Sequence, residues 1–139
     1  MKVRIVSEIS YYTKNEPGVL GRCIEGLSKA KINITGVHIY EGQLESLTRL
    51  VVDQNKVDEA EALLREHDIS MISQTDILEL ICVGKPGMLL EIAKQLGDHD
   101  INIKILYFTE GPTKETVVYL TVNDVEKALK VVQEELAEF

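Results

Sequence analysis

Aromatic residues, cysteine and proline are scarce in this chain, and long hydrophobic runs are absent. Aromatic residues make up 5% of the 139 residues, tryptophan does not occur, and there are three prolines and two cysteines. Cys23 and Cys82 are too few for a disulfide framework and lack metal-ligand spacing, so we interpret both as small buried hydrophobes. No apolar run approaches the roughly 20 residues that a membrane-spanning helix needs, which argues against a membrane protein.

The N-terminal stretch also lacks a targeting signal. The first ten residues, MKVRIVSEIS, contain neither the apolar segment nor the small-residue cleavage site of a secretory signal. The overall composition, 45% hydrophobic and 27% charged, is typical of a folded soluble protein. We therefore expect a cytoplasmic protein that does not contact a membrane.

Positive charge is in deficit as well. The chain has 15 Lys and Arg residues against 23 Asp and Glu residues, and its formal net charge is -8. Nucleic-acid-binding proteins need a cationic footprint, and RNA-binding units add aromatic residues on their central strands. The sequence offers neither feature, so we expect no nucleic acid among the partners.

What the sequence does contain is an internal repeat. EPGVLGRCIEGLSKAKINI (residues 16–34) aligns without a gap with KPGMLLEIAKQLGDHDINI (residues 85–103). The match weakens behind these segments, where the turn after the second Glu-Gly is one residue longer. The repeat predicts two domains, residues 1–74 and residues 75–139.

Each copy shows the same succession of hydrophobic patterns. An alternating strand comes first, RIVSEISYY or DILELICV, and an amphipathic helix follows the Pro-Gly dipeptide. A second strand, whose alternation slips at Gly36 in the first copy, a Glu-Gly turn, a third strand and a second helix complete the shared part. The β-α-β-β-α-β order predicts an α+β fold of two tandem ferredoxin-like units, each an antiparallel sheet with two helices on one face.

The second copy lacks its last strand. The first copy ends in a fourth strand, DISMIS, whereas the second helix of the second copy is predicted to continue to Phe139. The first strand of the second copy, residues 75–83, then has an open edge, and open edges tend to pair. We expect either the N-terminal segment Lys2–Val6 or a strand of a second chain to occupy it.

A Pro-Gly dipeptide opens the first helix of each copy, and we term these sites the first Pro-Gly turn (Pro17–Gly18) and the second Pro-Gly turn (Pro86–Gly87). Proline ends the strand, and glycine permits a steep turn with no Cβ in the way of another molecule. The helix that follows presents unpaired N–H groups at the positive end of its dipole, which attract a carboxylate or a phosphate. These donors belong to Gly18, Val19 and Leu20 in the first copy and to Gly87, Met88 and Leu89 in the second.

Asparagines provide a second element of a candidate binding site. Asn33 and Asn102 lie at the start of the second strand of each copy, and Asn15 lies beside the first Pro-Gly turn, where the second copy has Gly84. A carboxamide both donates and accepts hydrogen bonds, which suits a zwitterion. Both features also have a purely structural interpretation, since Pro-Gly often only ends a strand and Asn often only satisfies a helix end or a loop.

The segments NEPGVLGRCIEGLSKAKINI and GKPGMLLEIAKQLGDHDINI both resemble the ACT domain, whose pattern is a strand, Pro-Gly-Val/Met-Leu, an amphipathic helix and an apolar-Asn-Ile triplet. The resemblance covers nearly the whole chain as two tandem units. It implies a regulatory module that pairs side by side with another unit and holds an amino acid between the turn of one unit and the adjoining unit. The candidate ligand-binding residues are Asn15, Glu16, Gly18, Val19, Leu20 and Asn33 in the first copy and Gly87, Met88, Leu89 and Asn102 in the second.

In the second copy only Asn102 matches the polar positions of the family, because Gly84 departs from the pattern. The resemblance implies a free amino acid as effector, a homodimer and, since ACT units usually lie beside a catalytic or DNA-binding domain that this chain does not show, a separate metabolic enzyme as partner. It implies no catalytic residue, no metal and no cofactor. The alternative is a protein-interaction module, in which the turns are structural and an exposed edge or helix face docks the enzyme without a ligand.

Enzymes and metal proteins of similar topology need residues that this chain lacks. An acyl-phosphate hydrolase would need an arginine in a glycine-rich loop behind the first strand, where the sequence has Asn15-Glu16 or Gly84-Lys85. A metal chaperone would carry a cysteine pair in that loop. His99 lies between two aspartates in GDHDI, and we interpret this segment as a solvated turn rather than a metal site.

Overall fold

The structure, a computed structural model, describes residues 1–138. Six β-strands and four α-helices follow one another along this part of the chain, which confirms the predicted α+β class. In chain order they are β1 (Lys2–Lys14), α1 (Val19–Lys29), β2 (Ile34–Glu41), β3 (Glu45–Val52), α2 (Val57–Leu64), β4 (Ser70–Val83), α3 (Met88–Asp98), β5 (Ile103–Glu110), β6 (Glu115–Val122) and α4 (Val125–Glu135). A short 3₁₀ helix, Gln54–Lys56, precedes α2.

Contacts divide the chain into two compact units. The first unit consists of Ser7–Thr75, and the second consists of Met1–Val6 together with the chain from Asp76 onward. β1 and β4 are long enough to contribute one part to each unit. The sequence-based division into residues 1–74 and 75–139 follows the order of the repeat, whereas the contacts group the N-terminal segment with the second copy.

The sheet of the first unit has the strand order β2-β3-β1-β4. β3 pairs antiparallel with both β1 and β2. The register along β2 shifts between Ile34 and Gly36, which confirms the bulge expected from the slipped alternation. Because successive strand residues point to opposite faces, Ile9 and Tyr11 of β1 share the face that the helices cover.

The core of the first unit lies between that face and the two helices. Cys23 and Leu27 of α1, together with Ala60 and Leu64 of α2, pack with strand residues in one cluster. A spacing of four residues places both members of each pair on one helix stripe. Full burial of a side chain such as Leu27, which is 0% exposed, stabilises the fold by about 1.5–3 kcal/mol.

The second unit repeats this design with the strand order β1-β4-β6-β5. Leu78 and Leu80 of β4 pack with Ile92 and Leu96 of α3 in its core. The segment Met1–Val6 supplies the β1 part of this unit and lies beside β4. The beginning of the chain therefore takes the place of the missing fourth strand.

Packing and an ion pair hold the N-terminal segment in the second unit. Val3 and Ile5 pack against its core, and Arg4 Nε donates to Glu79 Oε1 over 2.7 Å. Glu79 is buried and also accepts a hydrogen bond from the Tyr119 hydroxyl at 3.1 Å. Of the two occupants expected for the open edge, the chain's own N-terminal segment is confirmed.

Two predicted element boundaries are wrong. DISMIS and DILELICV are not separate strands, because β4 runs from Ser70 to Val83 through the expected copy boundary. The last helix does not continue toward the end of the chain, since α4 ends at Glu135 and Leu136 has left the helical conformation; Phe139 lies outside the described residues. Leu136 is fully buried, so the residue that ends the helix also anchors it to the core.

Candidate functional site

Both Pro-Gly turns end in a glycine with a left-handed backbone. Gly18 has a φ of 85° and Gly87 a φ of 89°, a region that residues with a Cβ rarely adopt. These glycines are the N-caps of α1 and α3, and no side chain caps either helix. In α3 the Met88 N–H is nevertheless engaged, because it donates to the Lys85 carbonyl at 3.1 Å.

A cavity of about 130 Å³ opens beside the first Pro-Gly turn, and we term it the turn cavity. Its mouth includes the exposed residues Asn15 and Glu16, and its walls include Val19, Cys23 and Ile39. A cavity needs roughly 10–15 Å³ to hold one water. The turn cavity therefore has room for a small organic molecule.

Four hydroxyl groups line the inner part of the turn cavity, and we term them the hydroxyl floor. Tyr11 of β1 lies directly opposite Thr48 of β3, and Thr13 lies opposite Ser46. All four residues are buried, and the most exposed of them, Ser46, is 8% exposed. Buried polar groups are normally satisfied by hydrogen bonds, so a cluster of this kind calls for partners.

Tyr11 is the member of the hydroxyl floor that lacks a partner. It is 1% exposed, and its phenol oxygen meets no hydrogen-bond partner among residues 1–138. Burial, reinforced by Cys23, raises the pKa of Tyr11, and the neighbouring Thr48 side chain offsets a small part of this rise. The phenol is therefore protonated at neutral pH, and leaving such a buried group unsatisfied costs about 1–3 kcal/mol.

Asn15 connects the first Pro-Gly turn to the β2–β3 turn. Its backbone N–H donates to the Leu44 carbonyl, and its side-chain Nδ2 donates to the Gly42 carbonyl, both at 3.0 Å. At the same place in the second unit the Gly84 N–H donates to the Lys114 carbonyl at 2.7 Å, with no side chain to add a second bond. Asn15 thus lines the turn cavity while part of its amide already holds the hairpin.

Arg22 lies across the first Pro-Gly turn. A Cβ at Gly18 would come within 2.9 Å of the Arg22 Nη1, and the guanidinium forms an ion pair with Glu16 at 3.4 Å. Both side chains are more than half exposed, so this pair contributes little to stability. A second cavity of about 200 Å³ borders the same turn on the side of Arg22 and His67.

Asn33 and Asn102 lie away from the Pro-Gly turns of their own units. Each is exposed, and each backbone N–H donates to a polar side chain behind the third strand, Asp53 Oδ2 at 3.0 Å or Asn123 Oδ1 at 2.9 Å. With 11 residues in α1, about 16 Å of helix separates Asn33 from the first Pro-Gly turn. The structure therefore brings Asn15 and Glu16 to the turn cavity but not Asn33.

The second unit has a different interior under its Pro-Gly turn. Leu80 lies opposite Val118, at the positions that Tyr11 and Thr48 hold in the first unit. The neighbouring pair is Cys82 and Thr116. One hydroxyl thus stands where the first unit has four.

The space beneath the second Pro-Gly turn is filled by the unit's own side chains. Met88, at the position of Val19, is 4% exposed and belongs to the core, and its sulfur lies 3.2 Å from Cys82 Sγ. The Glu110 carboxylate lies against Gly84, where a Cβ would collide with it. Of the predicted residues of this copy, Met88 is packed inward and Leu89 is 41% exposed.

Sequence reasoning missed the residues that shape the turn cavity. In the sequence, the four residues of the hydroxyl floor are indistinguishable from other polar strand residues, and Arg22 is indistinguishable from other exposed helix residues. A signal was available in the repeat, because Tyr11 aligns with Leu80 and Arg22 with Glu91. Replacement of a polar or cationic residue by an apolar or acidic one at equivalent positions separates the two copies chemically.

Other site types find no support in the part of the chain that the structure describes. It contains no group of three or more His, Cys, Asp or Glu side chains that could hold a metal ion. His99 of the GDHDI segment uses Nδ1 in a 2.8 Å hydrogen bond with the Gln95 carbonyl. Among residues 1–138, no helix is long and apolar enough to cross a membrane.

No family model and no curated protein matches the sequence. Solved structures do match. Protein BT0572 from Bacteroides thetaiotaomicron is 22% identical with a TM-score of 0.85, and the match covers 96% of this chain and 90% of that one. The regulatory subunit of aspartate kinase from Thermus thermophilus, in its ligand-free form, is 16% identical with a TM-score of 0.72, and 95% of each chain is covered.

Part of a larger enzyme is similar as well. Aspartate kinase from Clostridium acetobutylicum is 18% identical with a TM-score of 0.62, and the match covers 95% of this chain and 33% of the kinase. Identities this low establish the fold alone. The fold that the resemblance to tandem ACT domains implied is thereby confirmed.

Proposed function

We propose that this chain is a non-catalytic regulatory protein that binds a free amino acid at the first Pro-Gly turn. The observation that carries the proposal is the turn cavity, which joins an uncapped helix start to a buried phenol without a partner. The fold supports a regulatory role, because structures of the same fold include a regulatory subunit of aspartate kinase.

The groups around the turn cavity match the two ends of an amino acid. The start of α1 attracts a carboxylate through its N–H groups and dipole, and Arg22 adds a cation beside it. The Glu16 carboxylate and the Asn15 carbonyl oxygen, both at the mouth, are acceptors for an ammonium group. On binding, Arg22 exchanges its weak pair with Glu16 for a pair with the ligand.

We place one site in the chain rather than two. In the second unit, Met88 occupies the space beneath the turn, and its N–H already has an acceptor. Glu91 lies in the first turn of α3, where it repels a carboxylate. Val19→Met should therefore fill the turn cavity and abolish binding.

A thermal-shift screen of the twenty amino acids tests the proposal. A ligand that binds only the folded state raises the melting temperature, by RT ln(1 + [L]/Kd) in free energy. We expect a shift with one or a few amino acids in the wild type and none in Val19→Met. Leu89→Met, on the exposed start of α3, is the matched control and should keep the shift. Absence of a shift with all twenty contradicts the proposal.

We further propose that two chains pair along β2 of the first unit. β2 is the outer strand of its sheet, and Val37 and Ile39 on it are 50% and 45% exposed. Leu20 of α1, 40% exposed, lines the turn cavity together with Ile39. An apolar edge of this kind favours pairing with another strand. Pairing would also allow Asn33 of a second chain to serve as the second amide.

Light scattering with size-exclusion chromatography tests this assembly. Ile39→Lys should convert a dimer into a monomer, and Asn33→Ala should lower ligand affinity without changing the mass. A monomeric wild type contradicts the pairing. If no amino acid binds but a metabolic enzyme is recovered in a pull-down that Leu44→Ala abolishes, the protein is instead a docking module. Leu44 is chosen because, among residues 1–138, it is the most exposed large apolar side chain, at 83%.

A further inference from the structure

We infer that the ligand of the turn cavity carries an uncharged hydrogen-bonding side chain, a hydroxyl or a carboxamide, and that Tyr11 and Thr48 select it. This inference rests on the proposed function, because it names the class of amino acid that the same cavity binds. It follows from the geometry of the hydroxyl floor.

The hydroxyl floor consists of two cross-strand pairs at the inner end of the cavity. Tyr11 faces Thr48 and Thr13 faces Ser46, in the register of β1 and β3. A hydroxyl donates one hydrogen bond and accepts up to two. Together the four groups can satisfy either a hydroxyl or a carboxamide, both of which also donate and accept.

The buried Tyr11 phenol disfavours a ligand with an apolar side chain. Its oxygen is fully buried and has no partner among residues 1–138. An apolar side chain in the cavity would leave that oxygen unpaired and would cover the other hydroxyls. A site built around polar groups rejects an analogue that cannot pair with them far more strongly than an apolar pocket rejects a missing methylene.

The hydroxyl floor also disfavours a ligand with a charged side chain. Its four residues are neutral and at most 8% exposed, whereas the charged residues that line the cavity, Lys14 and Glu16, are exposed. Transfer of an ionised group onto a neutral buried surface is unfavourable. The volume of about 130 Å³ limits the side chain to a few atoms.

The second unit provides an internal comparison. Leu80 and Val118 replace Tyr11 and Thr48 at the same register, and there the space is filled by Met88. At the first Pro-Gly turn the polar pair lines an open cavity, whereas at the second turn the apolar pair packs with the buried Met88. This difference assigns the hydroxyls to the cavity rather than to the fold.

Isothermal titration calorimetry of the full chain tests the inference with serine, threonine and asparagine against alanine, valine and aspartate. Alanine differs from serine only by the hydroxyl, and we expect serine to bind at least about tenfold tighter. Valine and aspartate should bind more weakly than threonine and asparagine, their closest polar and uncharged counterparts. Alanine or valine binding as tightly as serine overturns the inference and leaves the proposed site intact. Absence of binding by any amino acid overturns both.

Two variants test whether Tyr11 and Thr48 cause the preference for serine over alanine. Tyr11→Phe and Thr48→Val each remove a hydroxyl with little change of shape, and each should reduce the preference for serine over alanine by about fivefold or more. Tyr12→Phe is the matched control, because Tyr12 points to the opposite face of β1, and its preference should equal that of the wild type. Equal weakening of serine and alanine in both floor variants would assign Tyr11 and Thr48 a purely structural role.

Discussion

The two units share one backbone design and differ in what fills the space beneath the first helical turn. In the first unit this space is a cavity above four hydroxyls, and in the second unit Met88 and aliphatic strand residues fill it. The left-handed glycines and the absence of side-chain caps are common to both. A Pro-Gly turn therefore gives the shape of a possible site, and the side chains beneath it decide whether the site is open.

Charge separates the units as clearly as volume does. The fourth helical residue is Arg22 in α1 and Glu91 in α3. Two unit charges 4 Å apart interact by about 1 kcal/mol in water and about 4 kcal/mol near a protein surface. Because Arg22 is exposed, a carboxylate at the start of α1 gains an interaction at the lower end of this range, about 1 kcal/mol or less, and one at the start of α3 meets repulsion from Glu91 instead.

Removal of residues 2–6 has the largest expected effect on the comparison, because it takes a strand from one unit. The deletion removes the buried Val6 and the partly buried Val3 and Ile5, which pack against the core of the second unit. At 1.5–3 kcal/mol for a fully buried side chain and about half of that for a partly buried one, we expect a loss of about 3–6 kcal/mol. Native-state hydrogen exchange reads each unit separately, and protection should fall in residues 76–138 while the first unit keeps its helices protected.

Lys2→Ala is the control for the deletion, because Lys2 is exposed and its loss should leave exchange unchanged. Equal loss of protection in the two units would show that the N-terminal segment does not belong to one of them.

Truncation to alanine of the first helical residue after each Pro-Gly turn, Val19 or Met88, should lower the free energy of unfolding by unequal amounts. Met88→Ala removes a core side chain, and we expect a loss of about 2–4 kcal/mol in the free energy of unfolding. Val19→Ala enlarges a cavity that is already open, so the loss should stay below about 1 kcal/mol. Urea unfolding monitored by circular dichroism measures both. Similar losses in the two variants would mean that both turns are equally packed.

Charge exchange at the helix starts should change binding in one unit only. Arg22→Glu gives α1 the charge of α3, and serine affinity in calorimetry should fall at least about tenfold, or about 1.4 kcal/mol. Glu91→Arg is the reciprocal control and should leave serine affinity and stoichiometry as in the wild type. A second binding site in Glu91→Arg would show that charge alone, and not Met88, keeps the second unit closed.

Tyr11→Phe should stabilise the ligand-free protein. The substitution removes a buried hydroxyl that has no partner, so we expect a gain of about 1 kcal/mol in the free energy of unfolding. Tyr12→Phe should change it by less than about 0.5 kcal/mol. Destabilisation by Tyr11→Phe would place an unseen partner on the phenol.

Alkaline pH should weaken the first unit through Tyr11 and Cys23. Burial raises the pKa of Tyr11 above its ordinary value of 10.0 and the pKa of Cys23 above 9.0. The folded state keeps these protons while the unfolded state loses them, so stability is complete below about pH 9 and falls as pH rises beyond it. Thermal melts from pH 8 to 11 should show a shallower decline in Tyr11→Phe than in the wild type. An identical decline would contradict this account.

Much of the fold could be predicted from the sequence because it depends on local periodicity. The 3.6-residue stripes gave α1 and α3, and the slip at Gly36 gave the bulge in β2. The repeat located both Pro-Gly turns. What periodicity could not show was the continuous β4, since nothing in the alternation of SMISQTDILELICV tells one long strand from two short ones.

The site was predicted in part. Asn15 and Glu16 do lie at the turn cavity, because their position depends on the chain next to Gly18. The hydroxyl floor depends instead on the register between β1 and β3, which brings Tyr11 to Thr48 across more than thirty residues. The position of Asn33 relative to the first Pro-Gly turn could not be predicted from local sequence, because the whole of α1 separates Asn33 from that turn.

The N-terminal strand also sets an order of events during synthesis. Residues 2–6 leave the ribosome about 70 residues before the β4 segment that receives them, a delay of roughly 4–14 s at usual elongation rates. The first unit is complete as soon as Thr75 has emerged, so it can fold while the apolar side chains of Val3 and Ile5 are still exposed to solvent. A nascent chain halted shortly after residue 75 would therefore carry a folded first unit and an unpaired, apolar N-terminal segment to which chaperones could bind.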